Sequence, residues 1–185
     1  MFPNSDKVFN FSEQLQLGKQ GEKKIFKYLN NLQETVNVIN LSEQKAFQSL
    51  GIDGLLITDR GDGNSLVWTG FDVKTDFQYY RSGKLFIEIY ADINTNKEGG
   101  ILSSKAEMFY YYDPFGGFLF KVPLYALRRW YNREGISMNH KVVKNEYGQE
   151  TTGILVSPED LDQAGISITT EKISPLTFEI NGATK

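Results

Sequence analysis

The chain has 185 residues, 40% of them hydrophobic and 14% aromatic, with no cysteine, one histidine and a net charge of −3. That length and composition exclude a disordered segment and fit one domain, residues 1–185, with a core of its own. The missing cysteines exclude a disulfide scaffold, thiolate zinc sites and a cysteine nucleophile, and a lone His140 excludes His-pair zinc motifs.

A hydrolytic site in such a chain must run on carboxylates and lysine, and carboxylate oxygens select hard cations such as Mg²⁺ or Mn²⁺. The opening residues lack a basic segment followed by an apolar one, and no apolar run reaches the length of a membrane span. The expectation is a soluble, cytoplasmic protein with no membrane partner.

Ser12 reads as the N-cap of a long helix. Leu15, Gly18, Glu22, Ile25, Phe26, Leu29 and Leu32 follow the three-and-four spacing of one helix face. Glu22 falls on that apolar stripe, so it either points at a site or lies at the stripe's edge and pairs with Lys19. Residues 37–41 suit a short edge strand, and residues 43–50 a loop or helical turn.

Gly51–Ile57 and Leu66–Thr75 are two β-forming runs separated by the turn cluster from Asp59 to Asn64. The side-chain period of a strand puts Asp72 and Lys74 on one face and Phe71, Val73 and Thr75 on the other. Asp53, next to Gly54, converges on Asp72 if the two strands pair. Two such carboxylates repel each other, so the pair shares a proton or holds a cation. The turn itself fails the calcium-loop pattern, with Gly61 and Gly63 where ligands belong.

Residues 76–83 read as a polar, aromatic connection ending in a Ser82-Gly83 turn. Lys84–Tyr90 alternates, with Leu85, Ile87 and Ile89 on one face and Phe86, Glu88 and Tyr90 on the other. Glu88 is either a solvent-facing residue or a further acid for the site. A short helix over residues 102–107 is expected to feed a strand at Met108–Tyr112, a turn at 113–117 and a returning strand at Phe118–Val122. Pro123 suits the first position of a helix running to Arg133, with Leu124, Leu127 and Trp130 or Tyr131 on its apolar face. Two short strands at 141–144 and 153–156 and a helix capped by Ser157-Pro158 complete the chain. Residues 12–133 form the expected core and 134–185 a C-terminal extension.

Between Lys121 and Lys144, six basic residues, among them Lys121, Arg128 and Arg129, stand against Glu134 alone. A basic segment beside an acidic cluster suits a phosphodiesterase, in which cations hold the phosphate backbone. An ordinary solvated helix face is the competing account.

Taken in order, Glu22 on a helix, Asp53 in Gly-Ile-Asp-Gly and Asp72-Val73-Lys74 on the next strand resemble the PD-(D/E)XK nuclease superfamily. Gly83–Glu88 and Gly100–Glu107 resemble its small, single-domain resolvase and phage-type members. Ile52 stands where many members have proline. The resemblance implies an α/β (α+β) fold with a restriction-endonuclease-like core, a central mixed β-sheet flanked by helices. It implies a metal-dependent nuclease acting on DNA, an endonuclease rather than an exonuclease. Asp53, Asp72 and the backbone carbonyl of Val73 would hold Mg²⁺ or Mn²⁺, with Glu22 and Glu88 assisting. Lys74 would position or deprotonate the attacking water and stabilise developing charge. Ser104 and Lys105, at the mouth of the expected short helix, are candidates for phosphate contact along with Lys121, Arg128 and Arg129, with an ordinary surface lysine as the competing account of Lys105. Coordinated cutting of two strands would require a homodimer. The alternative is an inactive module of the same fold that binds nucleic acid or serves assembly.

Overall fold

The first helix, α1, spans Phe11–Asn30 and sets the geometry of everything around the acids. The computed structural model describes residues 11–61, 65–144 and 147–176, so Asp62, Gly63 and Asn64 of the polar turn lie outside it. Helix α1 buries Leu17, Ile25, Phe26 and Leu29. Its close approach to the sheet is at Gly21, where a Cβ would overlap Thr75 Oγ1. The same hydroxyl donates to the Gly18 carbonyl at 3.4 Å. Leu15, expected on the stripe, is exposed, because it lies a turn before the helix's contact with the end of that strand. The helix begins at Phe11, one residue ahead of the expected cap, and the Ser12 side chain lies outside the described residues.

Six strands form the larger sheet: β1 (Thr35–Asn40), β2 (Gly54–Asp59), β3 (Leu66–Thr75), β6 (Met108–Asp113), β7 (Phe118–Pro123) and β10 (Thr169–Lys172), in that spatial order. Neighbours are antiparallel except β3 and β6, which run parallel. A second, antiparallel sheet has the order β5 (Lys97–Glu98), β4 (Leu85–Asp92), β9 (Glu150–Val156) and β8 (His140–Lys144). The short helices α2 (Lys45–Gln48), α3 (Tyr79–Ser82) and α4 (Gly100–Ser103) lie in connections, and α5 (Leu124–Arg133) and α6 (Pro158–Gln163) flank the second sheet. The fold is mixed α/β, with a mixed central sheet and helices against it.

Alternation along the strands divides the core in two. Phe71, Tyr110, Tyr112 and Leu119 face α1 and pack on Ile25, Phe26 and Leu29. Phe109, Tyr111, Phe120 and Val122 face the other way and meet Leu85, Ile87, Ile89, Ile154 and Val156 of the second sheet, with Leu124, Leu127, Trp130 and Tyr131 of α5. Both Trp130 and Tyr131 are therefore on the buried side. Residues beyond 133 are integral to both sheets, since β9 pairs with β4 and β10 with β7.

Asp76 joins the two sheets. It is buried just past the end of β3, and Oδ1 accepts from the backbone N–H groups of Gln78 and Tyr79 at 2.8 and 3.1 Å. Oδ2 accepts from Phe86 N–H at the start of β4, at 2.9 Å. Asp76→Ala is expected to cost about 2–4 kcal/mol, because it strands three backbone donors at once. A urea midpoint that falls with an unchanged slope checks it.

Candidate functional site

Strand β2 starts at Gly54, so Asp53 sits just before it rather than within it. Two backbone bonds fix the position: Asp53 N–H donates to the Phe71 carbonyl at 2.9 Å, and Leu41 N–H donates to the Asp53 carbonyl at 2.8 Å. The Asp53 carboxylate then reaches across to β3, where Oδ2 accepts from Val73 N–H at 2.7 Å. Gly54 permits this closeness. A Cβ there would stand 2.5 Å from Phe71 Cζ and 2.7 Å from Phe26 Cζ.

Asp72 is 3% exposed, and its Oδ1 lies 2.8 Å from Lys74 Nζ. Burial pushes its pKa up to about 6; Lys74 opposes that rise and the neighbouring Asp53 carboxylate adds to it. Burial also pushes Lys74 down, but Asp72 first, then Glu88 and Asp53, outweigh it, and the net shift is upward. Lys74 is thus a protonated cation at neutral pH, held 5.6 Å from the centre of the Phe109 ring. Its chemistry in this state is to place positive charge, not to remove a proton.

Glu22 is half-buried on α1. Burial raises its pKa; a hydrogen bond with Ser42 lowers it, and the charge of Asp53 raises it further. The helix acid therefore faces the loop that carries Asp53. Glu88 stands in the second sheet, where its Oε1 accepts from Gly100 N–H at 2.9 Å while its charge is felt by Lys74. The four elements bring Asp53, Asp72 and Lys74 into one cluster with Glu22 and Glu88 on its flanks.

Among the described residues no group of three or more His, Cys, Asp or Glu stands close enough to hold a metal ion. Asp53 and Asp72 are a pair, which is what Mg²⁺ uses when water and phosphate oxygens supply its other ligands. The donors fit such an ion: two hard carboxylates in contact, one of them buried at a cost that a cation would relieve.

The other basic and polar candidates are placed elsewhere. Helix α4 ends at Ser103, so Ser104 and Lys105 follow it instead of opening it. The Gly99-Gly100 pair starts the turn early, and Gly100 has the left-handed φ of +29°. Ser104 is 1% exposed and its hydroxyl donates to the Gly51 carbonyl at 2.8 Å, which takes it out of contact with a phosphate. Arg128 donates through Nε to the Ile101 carbonyl at 2.6 Å and through its terminal nitrogen to the Ser104 carbonyl. It clamps the end of α4. Lys121 faces α1, over the Tyr28 ring, and pairs with Glu171 at 2.7 Å, away from Asp72. Lys105 and Arg129 are exposed.

Among the described residues every carboxylate whose pKa is displaced (Glu22, Asp72, Asp76, Asp113 and Glu171) is displaced upward, each chiefly by burial. The folded protein binds these protons more readily than the unfolded chain, so their ionisation costs stability. That cost is absent below the unfolded carboxylate range and grows as pH rises, complete for Asp72 once pH passes about 6. Melting temperature in EDTA is expected to fall between pH 4 and 7, and Mn²⁺ is expected to raise it more at pH 7.5 than at pH 5, where a proton competes for Asp72. Differential scanning fluorimetry across pH measures both.

Comparison with protein-family models, curated proteins and solved structures finds no match. The roles of these residues rest on their own geometry. No helix among the described residues is long and apolar enough to cross a membrane.

Proposed function

We propose that this chain is a metal-dependent nuclease of the PD-(D/E)XK type, hydrolysing phosphodiester bonds of DNA. The observation that carries the reading is the convergence of Asp53, Asp72 and Lys74, with Glu22 facing the same loop from α1. Asp53 links the two sides: its charge is felt by Glu22 on α1 and by Asp72 and Lys74, which lie on the β3 face turned away from α1. The mixed sheet supports a restriction-endonuclease-like core.

In this reading Asp53 and Asp72 hold Mg²⁺ or Mn²⁺ with the Val73 backbone beside them. The bound ion supplies a Lewis acid for the phosphoryl oxygen and a water of lowered pKa. The chain's own residues do the rest. Lys74, charged and only partly exposed, neutralises the negative charge that gathers on the phosphoryl oxygens. Its attachment to Asp72 keeps the ammonium next to the carboxylate pair. Glu22, raised in pKa and bonded to Ser42, orients water on the α1 side. Glu88, tied to Gly100 N–H, holds Lys74 in place from the opposite flank.

The test is cleavage of single-stranded, duplex, forked and branched DNA and of RNA in Mg²⁺ and Mn²⁺, with Asp72→Ala as the blank. Cleavage lost in EDTA and in Asp72→Ala supports the reading. Wild-type cleavage that persists in excess EDTA rejects the metal, and inertness toward the whole panel favours the binding-module alternative.

A further inference from the structure

Strand β3 carries more than the acids on the face that holds Asp72. Its register with β2 runs unshifted from Phe71 opposite Gly54 to Leu66 opposite Asp59, and with β6 from Phe71 to Thr75. Alternation is therefore unbroken, and Leu66, Trp68, Gly70, Asp72 and Lys74 share one face. Trp68 is 55% exposed. The only other tryptophan, Trp130, is buried and bonded through Nε1 to Glu134.

A large indole is seldom left this open, because burying it gives back so much apolar area. Between Trp68 and Asp72 the face has only Gly70. The atoms nearest its missing Cβ are Leu55 Cδ2 at 3.8 Å and Ala106 Cα at 4.0 Å, so no side chain of β3 itself walls the indole off from the acids. Beside this stretch the Glu107 carboxylate accepts from Gly70 N–H at 2.8 Å. At about 3.3 Å per residue, Trp68 lies roughly 13 Å along the strand from Asp72. That is about four nucleotides at the 3.4 Å spacing of a stacked strand.

We propose that Trp68 is a stacking platform for a nucleobase a few nucleotides from the scissile phosphate, and that the substrate is single-stranded or frayed there. The proposal rests on the nuclease reading for the position of the phosphate. An indole can stack only on a base whose face is free, and it does so with little preference among bases. Trp68 is a positioning residue: it touches the strand away from the reacting atoms.

Trp68→Ala, at an exposed position, is expected to weaken binding of a fluorescein-labelled oligothymidine in EDTA by about five-fold to a hundred-fold, measured by anisotropy. On single-stranded or forked substrates in Mg²⁺ or Mn²⁺ it should raise KM by a similar factor with little change in kcat. Trp68→Phe should restore most of both. In Trp130→Phe, Trp68 is the sole tryptophan, and single-stranded DNA should quench its fluorescence where a blunt duplex of equal length does not. Unchanged oligothymidine affinity in Trp68→Ala overturns the platform, whether or not the protein cleaves. So does a change in oligomeric state in Trp68→Ala, which would make the patch an interface between copies of the chain. Cleavage with unaltered KM in Trp68→Ala leaves the nuclease reading standing and removes Trp68 from it. Lost affinity in a protein that cleaves nothing keeps the platform and removes the nuclease.

Discussion

Lys74→Ala is expected to lower the rate of phosphodiester cleavage by about 10²-fold or more, the scale for removing one electrostatic or proton-handling group from a site. The expectation follows from the charge state of the lysine. Asp72 at 2.8 Å, with Glu88 and Asp53, holds it protonated despite burial. The variant removes that cation from beside the carboxylate pair. Two consequences separate this from a general loss of structure. Asp72 loses the group that holds its pKa down, so the variant should need a higher pH to bind Mn²⁺. Lys74→Arg keeps the charge but spreads it over a planar fork, and should recover activity only in part. Single-turnover cleavage at saturating protein measures the first effect, and Mn²⁺ titrations at pH 6 and 8 the second.

Gly54→Ala is expected to destabilise the fold by about 1–3 kcal/mol or more, through overpacking alone. The new methyl would stand 2.5 Å from Phe71 Cζ, 2.7 Å from Phe26 Cζ and 2.9 Å from the Ile39 carbonyl oxygen. Those atoms belong to β3, α1 and β1, so no single side chain can swing away to make room. Relief requires the start of β2 to move, and Asp53 moves with it. Cleavage should therefore fall further than the loss of folded protein explains. Gly18→Ala is the control: nothing lies within 4 Å of its missing Cβ, and in mid-helix the change should stabilise by about 0.5–1 kcal/mol. Chemical denaturation of the two variants side by side reads both signs.

Much of the site was legible because it is local. Asp72 and Lys74 share a face through the two-residue strand period, and the turn after β2 made the β2–β3 pairing readable, which brings Asp53 alongside. The helix stripe placed Glu22, and the Ser157 cap of α6 appears as expected, its side chain accepting from Asp160 N–H at 3.0 Å.

Long-range choices were not legible. Nothing in the alternation of Leu85–Tyr90 says that β4 leaves the main sheet and pairs with β9, and nothing in Met108–Asp113 says that β6 takes its place beside β3. The polar strand β10, Thr169–Lys172, has no apolar pattern because it lies at a sheet edge. The backbone partners of Ser104 and Arg128, expected as phosphate contacts, were hidden for a related reason. Their partners are backbone carbonyls brought close by the fold, and a polar residue type does not say whether its partner is phosphate or peptide. Asp76 passed as a loop residue although it carries three backbone bonds.

The most direct measurement is calorimetric or electron paramagnetic titration of Mn²⁺ into the metal-free protein at pH 7.5, without nucleic acid, alongside Asp53→Ala and Asp72→Ala. Saturable binding to the wild type that either substitution abolishes is the predicted result. Equal binding by all three proteins, or none by the wild type at millimolar Mn²⁺, would contradict a divalent ion shared by Asp53 and Asp72.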